Sequence, residues 1–534
     1  MVGVGTIEAV ILLLVAVLAL TALARNLLVP YPILLVLGGL GISLVPGVPS
    51  VPLEPDWVFL VFLPPILWSA AYFTALRDFR ANLRPISLLA IGLVLATTAA
   101  VAAAARWLLP GIGWPAAIAL GAIVSPPDAV AATAVGRRLT IPRRVMVVLE
   151  GESLVNDAAA LVLYRAAVVA AVTGQFVPRD TALQFVLGAA GGLAIGLAVG
   201  ALTRWVLTTT RDAFIATLAT LLAPYAAWVA AERVHVSAVL ACVAGGLYLR
   251  QYFSERVAPV TRIQSRAVWE VLVFGLNGVI FILIGLQLAG IRASIGAGEI
   301  VPLLVAGVVV SALAIAVRMV WVPLAAVVPR ALSPRLARRD PLPPWSNLLL
   351  LGWTGMRGIV SLAAALALPL QTATGAPFPH RREIIVITFV VILVTLVVQG
   401  LSLGPLIRRL RFPEDLTLHE EEHCAREASA AAALEELARL RQEPWVVPAH
   451  ADQLRARYTQ RRDHSSAVMP GHADDTAQAA AAFRRLRHAM LTAERRTLVE
   501  LRDRGEISDD VLHRLEQELD ADAVRIGTGD LPSL

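Results

Sequence analysis

The chain has 534 residues, 57% of them hydrophobic, and a mean hydropathy of +0.70. A soluble domain cannot hide that much apolar surface, whereas a polytopic membrane protein presents it to lipid. The net charge of +6 at pH 7 does not mark a nucleic-acid protein, because the basic residues, all of them Arg, cluster between apolar runs as topology signals. The two cysteines, Cys242 in an apolar run and Cys424 in the tail, supply neither a disulfide framework nor a zinc site.

The first apolar run covers residues 7–24. No basic residue precedes it and Arg25 follows, which predicts an uncleaved span with its N-terminus outside. Apolar runs then predict about thirteen helices, near 7–24, 31–49, 57–75, 85–109, 115–136, 144–172, 182–208, 213–231, 236–252, 268–290, 299–324, 345–370 and 383–406. With the first terminus outside, twenty-one arginines fall in connections on the inner side and six on the other, so the count is odd and the tail is cytoplasmic. The expected fold is an all-α polytopic membrane protein, with a transmembrane domain over 1–411.

After Arg411 the composition becomes charged. Residues 412–534 read as a helical cytoplasmic tail, with helices near 419–442, 475–503 and 508–520 around a weakly patterned stretch at 444–471. Leu512, Leu515 and Leu519 give the last helix an amphipathic spacing. This fits a dimerising or regulatory region, and nothing in it names a ligand.

Within the apolar runs, residues 121–165 carry Asp128, Glu150, Glu152 and Asp157. A charged side chain at mid-membrane costs about 2.5 kcal/mol or more, so an acid there marks a functional site. Ser125-Pro126-Pro127-Asp128 removes two backbone donors inside a span and clashes with the carbonyls of Ala122 and Ile123. Irregular backbone at that depth is tolerated where it is buried in protein or lines a polar cavity. Freed carbonyls beside a carboxylate are what a partly dehydrated sodium ion needs. The plainer alternative is a proline kink with Asp128 capping the helix that resumes at Ala129.

In the segment from Glu150 to Asp157, positions 150, 153 and 157 share one helical face, with Glu152 and Asn156 on a neighbouring stripe. Ser153 and Asp157 can offer a hydroxyl and a carboxylate to one ion. Burial favours the protonated form of a carboxyl and a bound cation favours the ionised form. One such group, Asp157, is the minimum machinery for exchanging a cation against a proton. The alternative is that Asp157 only hydrogen-bonds a neighbouring helix.

Farther along, Gly352-Trp353-Thr354-Gly355-Met356-Arg357-Gly358 places three glycines in seven residues and Arg357 inside a span. A buried arginine needs a carboxylate, and Glu152 is its expected partner. Interruptions at 126–127 and 352–358, in opposite halves of the chain, are the pattern of a midplane site between inverted repeats. Arg318 and Glu270 read as snorkelling near helix ends, and Asn277 as hydrogen-bonded between helices.

GESLVND, preceded by SPPDAVA and followed by WTGMRG, resembles the bacterial sodium/proton antiporters of the NhaP/NHE type, within the monovalent cation:proton antiporters. FLPPILWSAAY at 62–72, RDFRANLRPI at 77–86 and FILIGLQL at 281–288 match as well, so the resemblance covers 1–411. The tail stretch RGEISDDVLHRLEQELD resembles tails of the bacterial branch. The resemblance implies a thirteen-helix homodimer of inverted repeats, with a core domain moving against a dimerisation domain. It implies that Asp157 binds ion and proton in turn, aided by Asp128, Ser153 and Asn156, and that Glu152 and Arg357 form a structural ion pair. Asn156 stands where electrogenic relatives carry a second aspartate, which implies electroneutral exchange. Ser69 stands where the family often has an acid and Ala71 where it often has glycine. The proline often found after the motif aspartate is replaced by Ala129.

These readings converge on a plasma-membrane sodium/proton antiporter with no cofactor and no nucleic-acid partner, lithium and potassium being alternative cations. A non-transporting ion sensor would have to speak through a tail with no catalytic motif. An anion carrier would need cationic groups where this chain has acids. No phosphate loop, His cluster or nucleophile elbow supports an enzyme.

Overall fold

The computed structural model describes the chain except residues 1–3, 28, 46–52, 137–140, 176–177, 211, 257–258, 294–298, 413–415, 468–472, 505 and 527–534. The arginines at 137, 138 and 211 and the end of the expected 31–49 helix lie outside the described residues. The chain divides into two compact units, Met1–Glu414 and Asp415–Leu534.

In the first unit, eight described helices are long and apolar enough to cross a membrane: Pro55–Phe73, Leu83–Leu108, Arg143–Thr173, Val186–Thr209, Ala213–Arg233, Thr261–Arg292, Ile300–Leu332 and Arg381–Leu410. Shorter apolar helices lie at Ile11–Asn26, Tyr31–Ser43, Trp114–Val124 and Ala238–Gln251. Exposed Leu, Val and Phe side chains along these helices, among them Leu12, Val271 and Phe214, are the expected result of lipid as solvent. The chain is therefore a multi-pass membrane protein.

Two packing groups are evident. Helices 83–108, 114–124, 143–173, 300–332, 345–353, 359–366 and 381–410 pack mainly on one another, while those at 4–26, 31–43, 55–73, 178–209, 213–233, 238–256 and 259–293 form the other group. Small residues allow close approach within the second: a Cβ on Gly285 would lie 2.2 Å from the carbonyl oxygen of Val36. The 143–173 helix touches both groups, through the 114–124 helix on one side and the 238–256 helix on the other.

Two expected helices are broken. The predicted 115–136 helix is Trp114–Val124, an irregular link at 125–128, and Ala129–Gly136. The predicted 345–370 helix is Trp345–Trp353, an irregular link at 354–358, and Ile359–Leu366. Conversely, the helix expected at 299–324 runs on to Leu332 through Pro323 and Pro329. Wider turns interrupt the regular hydrogen-bond ladder at Val58–Phe62, Leu88–Leu93 and Thr395–Gln399.

In the second unit, helices run over Leu416–Leu440, Pro448–Ala467, Ala473–Asp503 and Asp509–Ile526. The weakly patterned stretch at 444–471 thus holds a helix, started by Pro448 at its first position. It packs on the 416–440 helix, and Ala430 and Ala451 are buried. Leu512 is buried, as its amphipathic spacing predicts, and Arg487 reaches Asp522 at 3.3 Å.

Candidate functional site

The site forms where the two interrupted helices meet. The backbone N–H of Asp128 donates to the carbonyl of Met356 at 2.6 Å, joining the first irregular link to the second. Approach here is close enough that a Cβ on Gly358 would lie 2.0 Å from Asp128 Oδ2, so only glycine fits. The diprolyl segment strands carbonyls, and side chains collect them. Ser125 Oγ donates to Ala122 at 3.0 Å, Arg357 Nε donates to Val124 at 3.1 Å, and Asn156 Nδ2 donates to Pro127 at 2.9 Å.

Helix-end charge explains the placement of Asp128 and Arg357. Asp128 Oδ1 accepts from the N–H of Val130 at 2.8 Å, capping the 129–136 helix, and Oδ2 lies beside Gly358, which begins the 359–366 helix. The capping role expected of Asp128 is present at the 129–136 helix, and its second oxygen lies close to the start of the 359–366 helix. Arg357 sits at the opposite polarity. Its guanidinium donates to Val124 and to the carbonyl of Gly355, where the 114–124 and 345–353 helices end, and its side chain is buried. Free carbonyls and the negative ends of two helix dipoles satisfy it.

This corrects the expected ion pair. Glu152 does not hydrogen-bond Arg357; it pairs with Arg318. Arg318 Nη2 donates to Glu152 Oε2 at 2.8 Å and Nη1 to Oε1, a two-pronged pair with both side chains 1% exposed. Arg318 Nε also donates to Leu351 at 3.2 Å. The snorkelling reading of Arg318 fails for a physical reason: the helix continues to Leu332, which moves Arg318 from near its end to its middle. Glu270 is exposed and pairs with Arg266 at 2.9 Å, and Asn277 is buried.

Asp157 and its neighbours complete the site. The Asp157 side chain is buried on the 143–173 helix, within Coulombic reach of Asp128. Among the described residues its carboxylate has no hydrogen-bond or ion-pair partner, so the alternative of a simple interhelical hydrogen bond finds no support. Asn156 is fully buried and, among the described residues, its Oδ1 has no partner. Ser153 is half-buried one turn before Asp157. The arrangement offers a carboxylate, an unengaged amide oxygen and nearby backbone carbonyls, the hard oxygen donors that a small cation prefers.

Thr395 and Gln399 belong to no motif singled out above, yet both hold the second link in place. Thr395 Oγ1 accepts from the N–H of Arg357 at 3.2 Å, and Gln399 Nε2 donates to Trp353 at 2.8 Å. A signal was available: Thr388, Thr395 and Gln399 are polar residues at i, i+7 and i+11 in an otherwise apolar run, hence on one face.

Residues 11–409 match the family described as sodium/hydrogen exchanger, transmembrane. The chain belongs to the sodium/hydrogen exchanger family. An uncharacterised Na(+)/H(+) exchanger of Mycobacterium tuberculosis is 36% identical over 97% of this chain and 95% of its own length. The sodium, potassium, lithium and rubidium/H(+) antiporter of Bacillus pumilus is 35% identical over 73% of this chain and 60% of its own. The Na(+)/H(+) antiporter ApNhaP of Aphanothece halophytica is 32% identical over 72% of this chain and 70% of its own. In fold, this exchanger is similar to the sodium proton antiporter MjNhaP1 from Methanocaldococcus jannaschii at pH 8, with a TM-score of 0.59 and 18% identity over 76% of this chain and 98% of that one.

Proposed function

We propose that this exchanger family member moves sodium against protons through Asp157. The observation that carries the reading is a buried carboxylate without a partner among the described residues, placed beside two crossing helix interruptions. A carboxylate in that setting must neutralise its charge, and it can do so with a proton or with a cation, not with both. Each exchange then trades one positive charge for another, so the cycle is electroneutral. Asn156 supports this stoichiometry, because it contributes an oxygen without adding a charge.

Asp128, Ser153 and Asn156 serve as helpers around the ion, Asp128 by holding the two helix N-termini together and lending its field. Glu152 with Arg318, and Arg357 with its carbonyls, are scaffold. Thirteen spans are proposed, each interrupted helix taken as one, with the first terminus outside, the 412–534 tail inside and inverted halves, in keeping with the arginine distribution along the chain. A homodimer in the plasma membrane fits the exposed apolar faces and the family resemblance.

The test is proton flux in vesicles reconstituted with the purified exchanger. Sodium addition is expected to dissipate a preset pH gradient at a rate that an imposed voltage does not change. Lithium and potassium are run in parallel, since the Bacillus pumilus relative is named for several alkali cations. A rate that follows the imposed voltage would reject one-for-one exchange, and the absence of any cation-dependent flux would reject the function.

A further inference from the structure

Away from the crossing, at the arginine-rich end of the first packing group, four elements line a groove that is partly open to the outside. Its walls are apolar, from Leu89, Val148, Val322, Ala325, Leu348 and Leu351, and its rim carries Arg84, Arg144 and Arg330. The rim arginines converge on Asp340, which lies in the link after the 300–332 helix. Arg84 reaches its carboxylate at 2.5 Å, and Arg144 and Arg330 each reach it at 2.9 Å. Burial disfavours ionisation of Asp340, but its hydrogen bond from Arg144 and the charges of Arg144, Arg330 and Arg84 outweigh that, leaving its pKa below the usual carboxylate value.

Three guanidiniums against one carboxylate leave an excess of two positive charges at the mouth of an apolar groove. The three play different parts. Arg330 is buried and spends its donors on the carbonyls of Ala326 and Asp340 and on the Asp340 carboxylate, so it fixes the cluster. Arg84 and Arg144 have side chains 30% and 42% exposed, and each commits only part of its five N–H donors to protein groups. Donors therefore remain for an anionic group arriving from outside.

The groove also lies where a lipid would present that group. Arg84 and Arg144 stand at the starts of the 83–108 and 143–173 helices, Arg330 stands near the end of the 300–332 helix, and Asn347 lies in the first turn of the 345–353 helix. That is the boundary between hydrocarbon and water, where basic clusters beside membrane helices take lipid headgroups. A free anion would gain nothing from the apolar walls, and an uncharged lipid would gain nothing from the rim. From this geometry we infer that the groove holds an acyl chain of an anionic phospholipid, with its phosphate against Arg84 and Arg144. The bound lipid would tie the helix bearing Asp157 to the two helices that carry Arg318 and the second interruption.

Native mass spectrometry of the purified full chain, with thermal unfolding in parallel, tests this. The probes are phosphatidylglycerol, phosphatidylcholine and inorganic phosphate. The protein is expected to retain one phosphatidylglycerol in preference to phosphatidylcholine and to unfold at a higher temperature with it. Arg84→Gln, or Arg144→Gln if the first does not fold, should weaken phosphatidylglycerol about fivefold, the value of one interfacial arginine. Ala325→Phe should fill the groove and displace the lipid while leaving the rim charges in place. Arg335→Gln, exposed on the short helix beyond Arg330, should retain lipid as the parent does. Equal retention of the two lipids, full retention by Ala325→Phe, or equal protection by phosphate alone would overturn the inference.

Discussion

Asp157→Asn is expected to yield a protein that inserts, folds and carries out no exchange. Asparagine keeps the shape and polarity of the side chain but can neither release a proton nor balance a cation. Because the native carboxylate has no partner to lose among the described residues, removing its charge should leave the unfolding temperature unchanged or raise it, a buried unpaired charge being costly. The two readouts together separate a carrier from a structural acid: a structural acid loses stability when neutralised, whereas this one loses only transport. Sodium-driven proton flux that persists in Asp157→Asn vesicles would remove Asp157 from the carrier role.

The opposite pattern is expected one turn away. Glu152 and Arg318 are both 1% exposed and joined by two hydrogen bonds. Glu152→Gln strands the Arg318 guanidinium, and Arg318→Met strands the Glu152 carboxylate. Breaking a buried pair from one side costs about 3–5 kcal/mol, which should appear as a large fall in unfolding temperature and in the yield of folded protein. The double variant Glu152→Gln/Arg318→Met leaves no unpaired charge and should recover much of the loss. A double-mutant cycle measured by thermal unfolding checks the pairing. Single variants that melt like the parent, or strictly additive losses, would mean the two side chains do not depend on each other.

Much of the site was legible from local chemistry. Pro126-Pro127 cannot continue a helix, and the glycines at 352, 355 and 358 weaken one, so both interruptions were predictable without any long-range information. The cap formed by Asp128 followed from its position before a resuming helix. What sequence could not supply was the pairing of partners distant in the chain. Glu152 lies 166 residues from Arg318, and local sequence points it instead to Arg357, whose glycine-rich motif marks it as buried. Pro323 and Pro329 suggest a helix end near 324, but the helix runs through both to Leu332 and so carries Arg318 in its middle. Arg357 spends its hydrogen bonds on carbonyls at two helix ends and feels Glu152 only at Coulombic range, and the place where two helices end together is a property of the fold. The same holds for Asp340, a single acid in a link that collects arginines from three helices. In the tail, the Pro448–Ala467 helix was hidden by its polar composition and is supported by its neighbour.

The direct measurement is proton release on cation binding. Sodium is added to the purified exchanger in weakly buffered solution at the lowest pH where it still binds, and the pH change is read against bound sodium. The account predicts one proton released for each sodium bound by the parent protein and none from Asp157→Asn. Sodium that binds the parent without displacing a proton would contradict it.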